Sequence, residues 1–149
     1  MSRTTPSRTE PTRRVPSPRQ VRLLAAAVFV VTTALTVLDA DTRQEMVVVV
    51  IGVVVSLTVV YGVLLPQKLA QPGRGGTALI LSVVAAVVLL PAFWSGQSLI
   101  LGAAGVVLGR ADRTSTSAGK SVAAIVLGSL ACLGYFAVYA LDALLPPSG

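Results

Sequence analysis

Residues 118–121, Ala-Gly-Lys-Ser, end the way a nucleotide-binding loop ends. Such a loop, G-x-x-x-x-G-K-[ST], wraps phosphates in backbone amides and aims its Lys at the outer ones. The first Gly of that pattern would fall at Thr114. The loop must also follow a strand and open a soluble helix, whereas here apolar runs stand on both sides. These residues read instead as a helix start: Ser117 or Ser121 caps free amides, and Lys120 anchors the end at charged headgroups.

Other chemistry-bearing residues are few. Arg13-Arg14 after Thr12 has the outline of a twin-arginine export signal. Pro16 stands where an apolar residue belongs, the next run is too long for a signal core, and Leu38-Asp39-Ala40 is a poor cleavage site. Asp142 is the one acidic residue of the last apolar run, and it lies near the run's end, before Pro146-Pro147, within reach of solvent. An ionisable group deep in such a run would mark function. There is no His, which removes the commonest general base and metal ligand. Cys132, the single Cys, has no partner for an internal disulfide. The hydroxyls of Thr32, Thr33, Thr36, Ser56 and Thr58 can bond their own helix carbonyls. The sequence therefore predicts no enzyme, no cofactor and no metal site.

The spacing of small residues is more informative. Gly105 and Gly109 form G-x-x-x-G with Gly102 one turn earlier, while Ala124, Gly128 and Cys132 recur every four residues. Small residues let helices approach until backbone atoms touch, which gains dispersion contacts where lipid gives no hydrophobic drive. The expected contact joins the fourth and fifth apolar runs within one chain, or else joins two chains.

These stripes need helices to carry them. Apolar residues make up 54% of the 149, charged residues 12%, and mean hydropathy is +0.80. A soluble domain has about 25% charged residues, and a chain this short has too little interior for so much apolar surface. Residues 1–20 carry four Pro among Ser, Thr and Arg and read as a disordered tail. Apolar runs follow at 21–40, 46–65 (ending at Pro66), 77–94, 96–110 and 121–143. A helix of about 20 residues spans the hydrocarbon core of about 30 Å and bonds its own amides there, as a lone strand cannot. The apolar core of the fourth run, 99–109, is short. It borrows Gly96–Ser98, leans on Arg110 snorkelling outward, or sits in a thinned or re-entrant geometry.

Charge sets orientation. With the N-terminus in the cytoplasm and five spans, every basic residue except Arg43 lies inside, as the positive-inside rule requires. Merging the third and fourth runs would move Arg110, Arg113 and Lys120 outside and make a helix of about 50 Å. Trp94 and Tyr139 then fall at the outer interface. Read together with these runs, the net charge of +6 reflects topology, not nucleic-acid binding. Arg3, Arg8, Arg13, Arg14 and Arg19 are placed to meet anionic headgroups.

Residues 77–140 resemble a family of small actinobacterial membrane proteins defined by a domain of unknown function. The resemblance rests on Pro91, Leu101-Gly102, Gly105, Leu108-Gly109, Arg110, Gly119, Ala124 and Leu127-Gly128. This chain adds two helices before that core and lacks the family's glycines in its third run. The resemblance implies an integral membrane protein with a Gly-rich helical hairpin, and it implies no activity.

The expectation is an all-α integral membrane protein of the cell membrane, with about five transmembrane helices, a disordered cytoplasmic tail at 1–20, and an external C-terminus. Its expected role is that of an accessory, scaffold or envelope-associated protein, working beside another membrane protein or a second copy of itself. A small oligomeric permease or channel is the alternative.

Overall fold

The computed structural model describes residues 16–39, 43–71, 73–90, 95–112 and 118–145. The tail arginines Arg3, Arg8, Arg13 and Arg14 lie outside the described residues, as do Pro91, Trp94, the polar hinge at 113–117 and Pro146-Pro147. Among the described residues every regular element is a helix: α1 (Pro18–Asp39), α2 (Arg43–Leu57), a π-helical segment (Thr58–Leu64), α3 (Leu65–Ala70), α4 (Gly75–Leu89), α5 (Gln97–Ala111) and α6 (Ala118–Leu144).

Three stretches are long and apolar enough to cross a membrane: Pro18–Leu35, Met46–Ala70 and Ala118–Leu144. The apolar helices α4 and α5 have 15 residues each, about 22 Å of helix. α6, with 27 residues, is about 40 Å long.

α1 begins three residues before its apolar run. Ser17 and Gln20 form a capping box: Gln20 N–H donates to Ser17 Oγ at 3.3 Å, and Ser17 N–H donates to Gln20 Oε1 at 2.8 Å. Pro18, at the first helical position, needs no amide partner there.

The second rod does not end at Pro66 but continues to Ala70. A proline ring clashes with the carbonyl four residues back and cannot donate. The π segment relieves that conflict, with Leu65 N–H reaching Val60 O, five residues back. Thr58 Oγ1 donates to Val54 O at 2.8 Å where this register begins, a bond that loosens the helix ladder locally. Pro66 then falls in the first turn of α3, where its missing amide costs little.

α4, α5 and α6 form a three-helix module in which each helix packs along both others, while α1 packs on α2 and the second rod leans on α5. Tyr61, on the π segment, donates its hydroxyl to Ile100 O at 3.2 Å. At the start of α5, Gly96 has φ of +66°, and Thr32 of α1 fills the space that a Cβ would need. Glycine meets both demands there.

Many large aliphatic side chains face outward: Ile80, Leu133 and Val87 are about two-thirds exposed. The buried contacts mix small residues, Ala78, Ser82, Ala85, Ala104 and Ala124, with a few large ones, Leu65, Ile100, Leu108 and Tyr135. So much exposed aliphatic surface suits an apolar solvent.

Candidate functional site

The small-residue contact is the most developed feature of the module. A Cβ on Gly128 would stand 2.6 Å from Gly102 O, and one on Gly102 would stand 2.9 Å from Gly128 O. A Cβ on Gly109 would meet Ser121 O at 2.9 Å. These neighbours are backbone atoms, which cannot swing aside. Gly102 and Gly109, seven residues and two turns apart, thus share the α5 face toward α6. Cys132 adds a long Sγ contact of 3.9 Å to Leu99 O, and Ala124 is fully buried on the same side of α6.

Gly105 belongs to a different contact from its spacing partner Gly109. It faces α4, where a Cβ would collide with Ser82 Oγ and stand 3.1 Å from Ala78 O. α5 lies between two neighbours, and a three-residue step from Gly102 turns the side chain about 60° away from the α6 face. Ser82 sits where the three helices meet: fully buried, it donates to Ala124 O at 2.8 Å and fills the space beside Gly105 and Gly128.

A second cluster closes one end of the module. Asp112 caps α5, its N–H bonding Leu108 O and Gly109 O. Its carboxylate is fully buried. Oδ2 accepts from Gly75 N–H at 2.8 Å and from Ser121 Oγ at 3.3 Å. Gly75 opens α4 and Ser121 lies in the first turn of α6, so one carboxylate serves the positive ends of two helices. Arg74 makes no side-chain cap for α4; its Nε turns back to Gln71 O at 2.6 Å. α4 is therefore capped from another helix.

This cluster bears on Gly119-Lys120-Ser121. Gly119 and Lys120 are exposed, whereas Ser121 is buried against the Asp112 carboxylate. The hydroxyl that would face a metal-bound phosphate in a nucleotide loop is thus already bonded to a carboxyl oxygen of the same chain. The loop ahead of these residues lies outside the described residues.

Asp112 and Ser82 are absent from the sequence prediction. Asp112 had a signal, being the lone acid between Arg110 and Arg113 at the end of an apolar run. Ser82 had none beyond its polarity within an apolar helix. Tyr139 packs edge-to-face on buried Tyr135 with ring centroids 5.1 Å apart. Thr58 bonds its own helix, as its position predicts. Among the described residues no three His, Cys, Asp or Glu side chains gather as metal ligands do. Compared with known proteins, the chain matches no family model, and neither a curated protein nor a solved structure is significantly similar to it.

Proposed function

We propose that this chain is a five-span integral protein of the cell membrane that serves as a non-enzymatic accessory or scaffold subunit, with its N-terminus in the cytoplasm and its C-terminus outside. The carrying observation is the closed interior of the α4–α6 module. Backbone meets backbone at Gly102 and Gly128, and the hydroxyl of Ser82, where the three helices meet, is committed to Ala124 O. What such a molecule offers a partner is its outer apolar faces. The α5–α6 hairpin supports the reading of α5 as a span of its own, because it returns the chain to the end where Asp112, Gly75 and Ser121 meet.

Topology is tested with reporters. A reporter active only outside the cytoplasm is active when fused after Gly149 and silent when inserted at 113–117, following the Lys/Arg bias. An active insertion at 113–117 overturns the five-span count. The role is tested on the full chain purified in mild detergent. The expected result is one other membrane protein at fixed stoichiometry and no solute flux in proteoliposomes. A homo-oligomer that passes ions or small solutes makes the chain a permease or channel and overturns the scaffold reading.

A further inference from the structure

Between α1 and the second rod run two adjoining open surface grooves, of about 470 Å³ and 590 Å³, that share Val21, Arg22, Tyr61 and Gly62. Both fall within the range of about 300–1,000 Å³ typical of small-molecule sites. The first follows successive turns of α1 from Arg22 through Ala25 and Ala26 to Phe29. The second opens toward Pro16, Pro66 and Leu69 at the ends of the two rods. The space exists because its walls are small: Ala25 and Ala26 on one side and Gly62 on the other.

The polar groups of this groove are unequal. Thr58 Oγ1 donates to Val54 O, and Tyr61 donates to Ile100 O. Arg22 alone, where the two lobes of the groove meet, has a guanidinium with no hydrogen bond or ion pair among the described residues. The lobe along Ala25, Ala26 and Phe29 is thus mostly apolar and begins at a cationic group. Its complement is a molecule with an aliphatic chain and an anionic head. We infer that this groove is a binding site for one anionic phospholipid, with an acyl chain lying along Ala25, Ala26 and Gly62 and the phosphate on Arg22. A guanidinium fork matches two phosphate oxygens at once. The site is separate from the diffuse attraction of the N-terminal tail for charged headgroups, and it rests on the membrane reading above.

Native mass spectrometry of the full-length protein in mild detergent tests it, with phosphatidylglycerol and phosphatidylcholine of matched chains offered in equal amounts. The parent retains one phosphatidylglycerol in preference to phosphatidylcholine by about tenfold. Arg22→Gln brings the two lipids to parity. Gly62→Phe, or Ala26→Phe from the facing wall, fills the groove and loses both. The double variant Arg13→Gln/Arg14→Gln keeps the preference. Parity in the parent overturns the site, as does a preference that survives Arg22→Gln or disappears with the two tail arginines. Alkaline carbonate washing of the same membranes is scored separately: release of the protein there overturns the membrane reading itself, whereas a firmly embedded protein without lipid preference overturns the groove alone.

Discussion

Gly128→Ala lowers the melting temperature of the detergent-solubilised protein, and Gly128→Leu lowers it further or prevents assembly of the module. The new Cβ would stand 2.6 Å from Gly102 O, so α5 and α6 have to move apart along their whole contact. Overpacking of this kind costs about 1–3 kcal/mol, roughly 3–10 °C for a chain of this size. Gly102→Ala acts in the same direction. Gly52→Ala provides the helical control, because nothing lies within 4 Å of its Cβ position. Lys120→Ala leaves melting unchanged, and ATP with magnesium protects neither it nor the parent. Equal melting of the Gly128 and Gly52 variants would show that the close approach of α5 and α6 is not what holds the module. Nucleotide protection that disappears in Lys120→Ala would restore the phosphate-loop reading.

Asp112→Ala has an effect of comparable size. Truncation leaves Gly75 N–H and Ser121 Oγ without the carboxylate they share in a fully buried place. A hydrogen bond to a charged group contributes about 1.5–3 kcal/mol. Asp112→Asn keeps an oxygen for Gly75 N–H and loses only the charge facing two helix N-termini, a part worth about 0.3–2 kcal/mol. The expected order of melting is parent, Asn variant, Ala variant. Hydrogen exchange adds location, with the first turn of α4 losing protection in Asp112→Ala while α1 and α2 keep theirs. An Ala variant as stable as the parent would reduce Asp112 to an incidental neighbour.

How much of this was legible in the sequence follows from the range of each interaction. Helix positions were legible because an apolar run of given length is a local property. Gly102, Gly109 and Gly128 were legible because small residues at helical spacing are rarely neutral between helices. The assignment of Gly105 to α4 was not, because G-x-x-x-G spacing defines a face without saying which neighbour meets it. The start of α1 at Pro18 was within reach, since Ser17 and Gln20 spell a capping box. The passage of the second rod through Pro66 was not, because it depends on a register change that Thr58, Gly62 and Pro66 allow together. Asp112 escaped because its partner Gly75 lies 37 residues away. A lone acid at the end of an apolar run marks Asp112 as unusual, but nothing local says which helix it caps.

That cap also carries a consequence for biogenesis. A chain leaves the ribosome N-terminus first, so in the proposed five-span arrangement α4 meets the bilayer before the residues that complete it exist there. Its first amide waits for Asp112, and its central hydroxyl, on Ser82, waits for the Ala124 carbonyl 42 residues downstream. An apolar helix of 15 residues with two such unmet groups is a poor candidate to settle alone in lipid. α1 and the second rod wait on later sequence for less: the Tyr61 hydroxyl waits for the Ile100 carbonyl, but no helix-starting amide does. In that proposed arrangement α4 completes its polar contacts only after α5 and α6 have followed it, so a ribosome stalled between residues 90 and 118 is expected to leave α4 without the neighbours that satisfy Gly75 and Ser82.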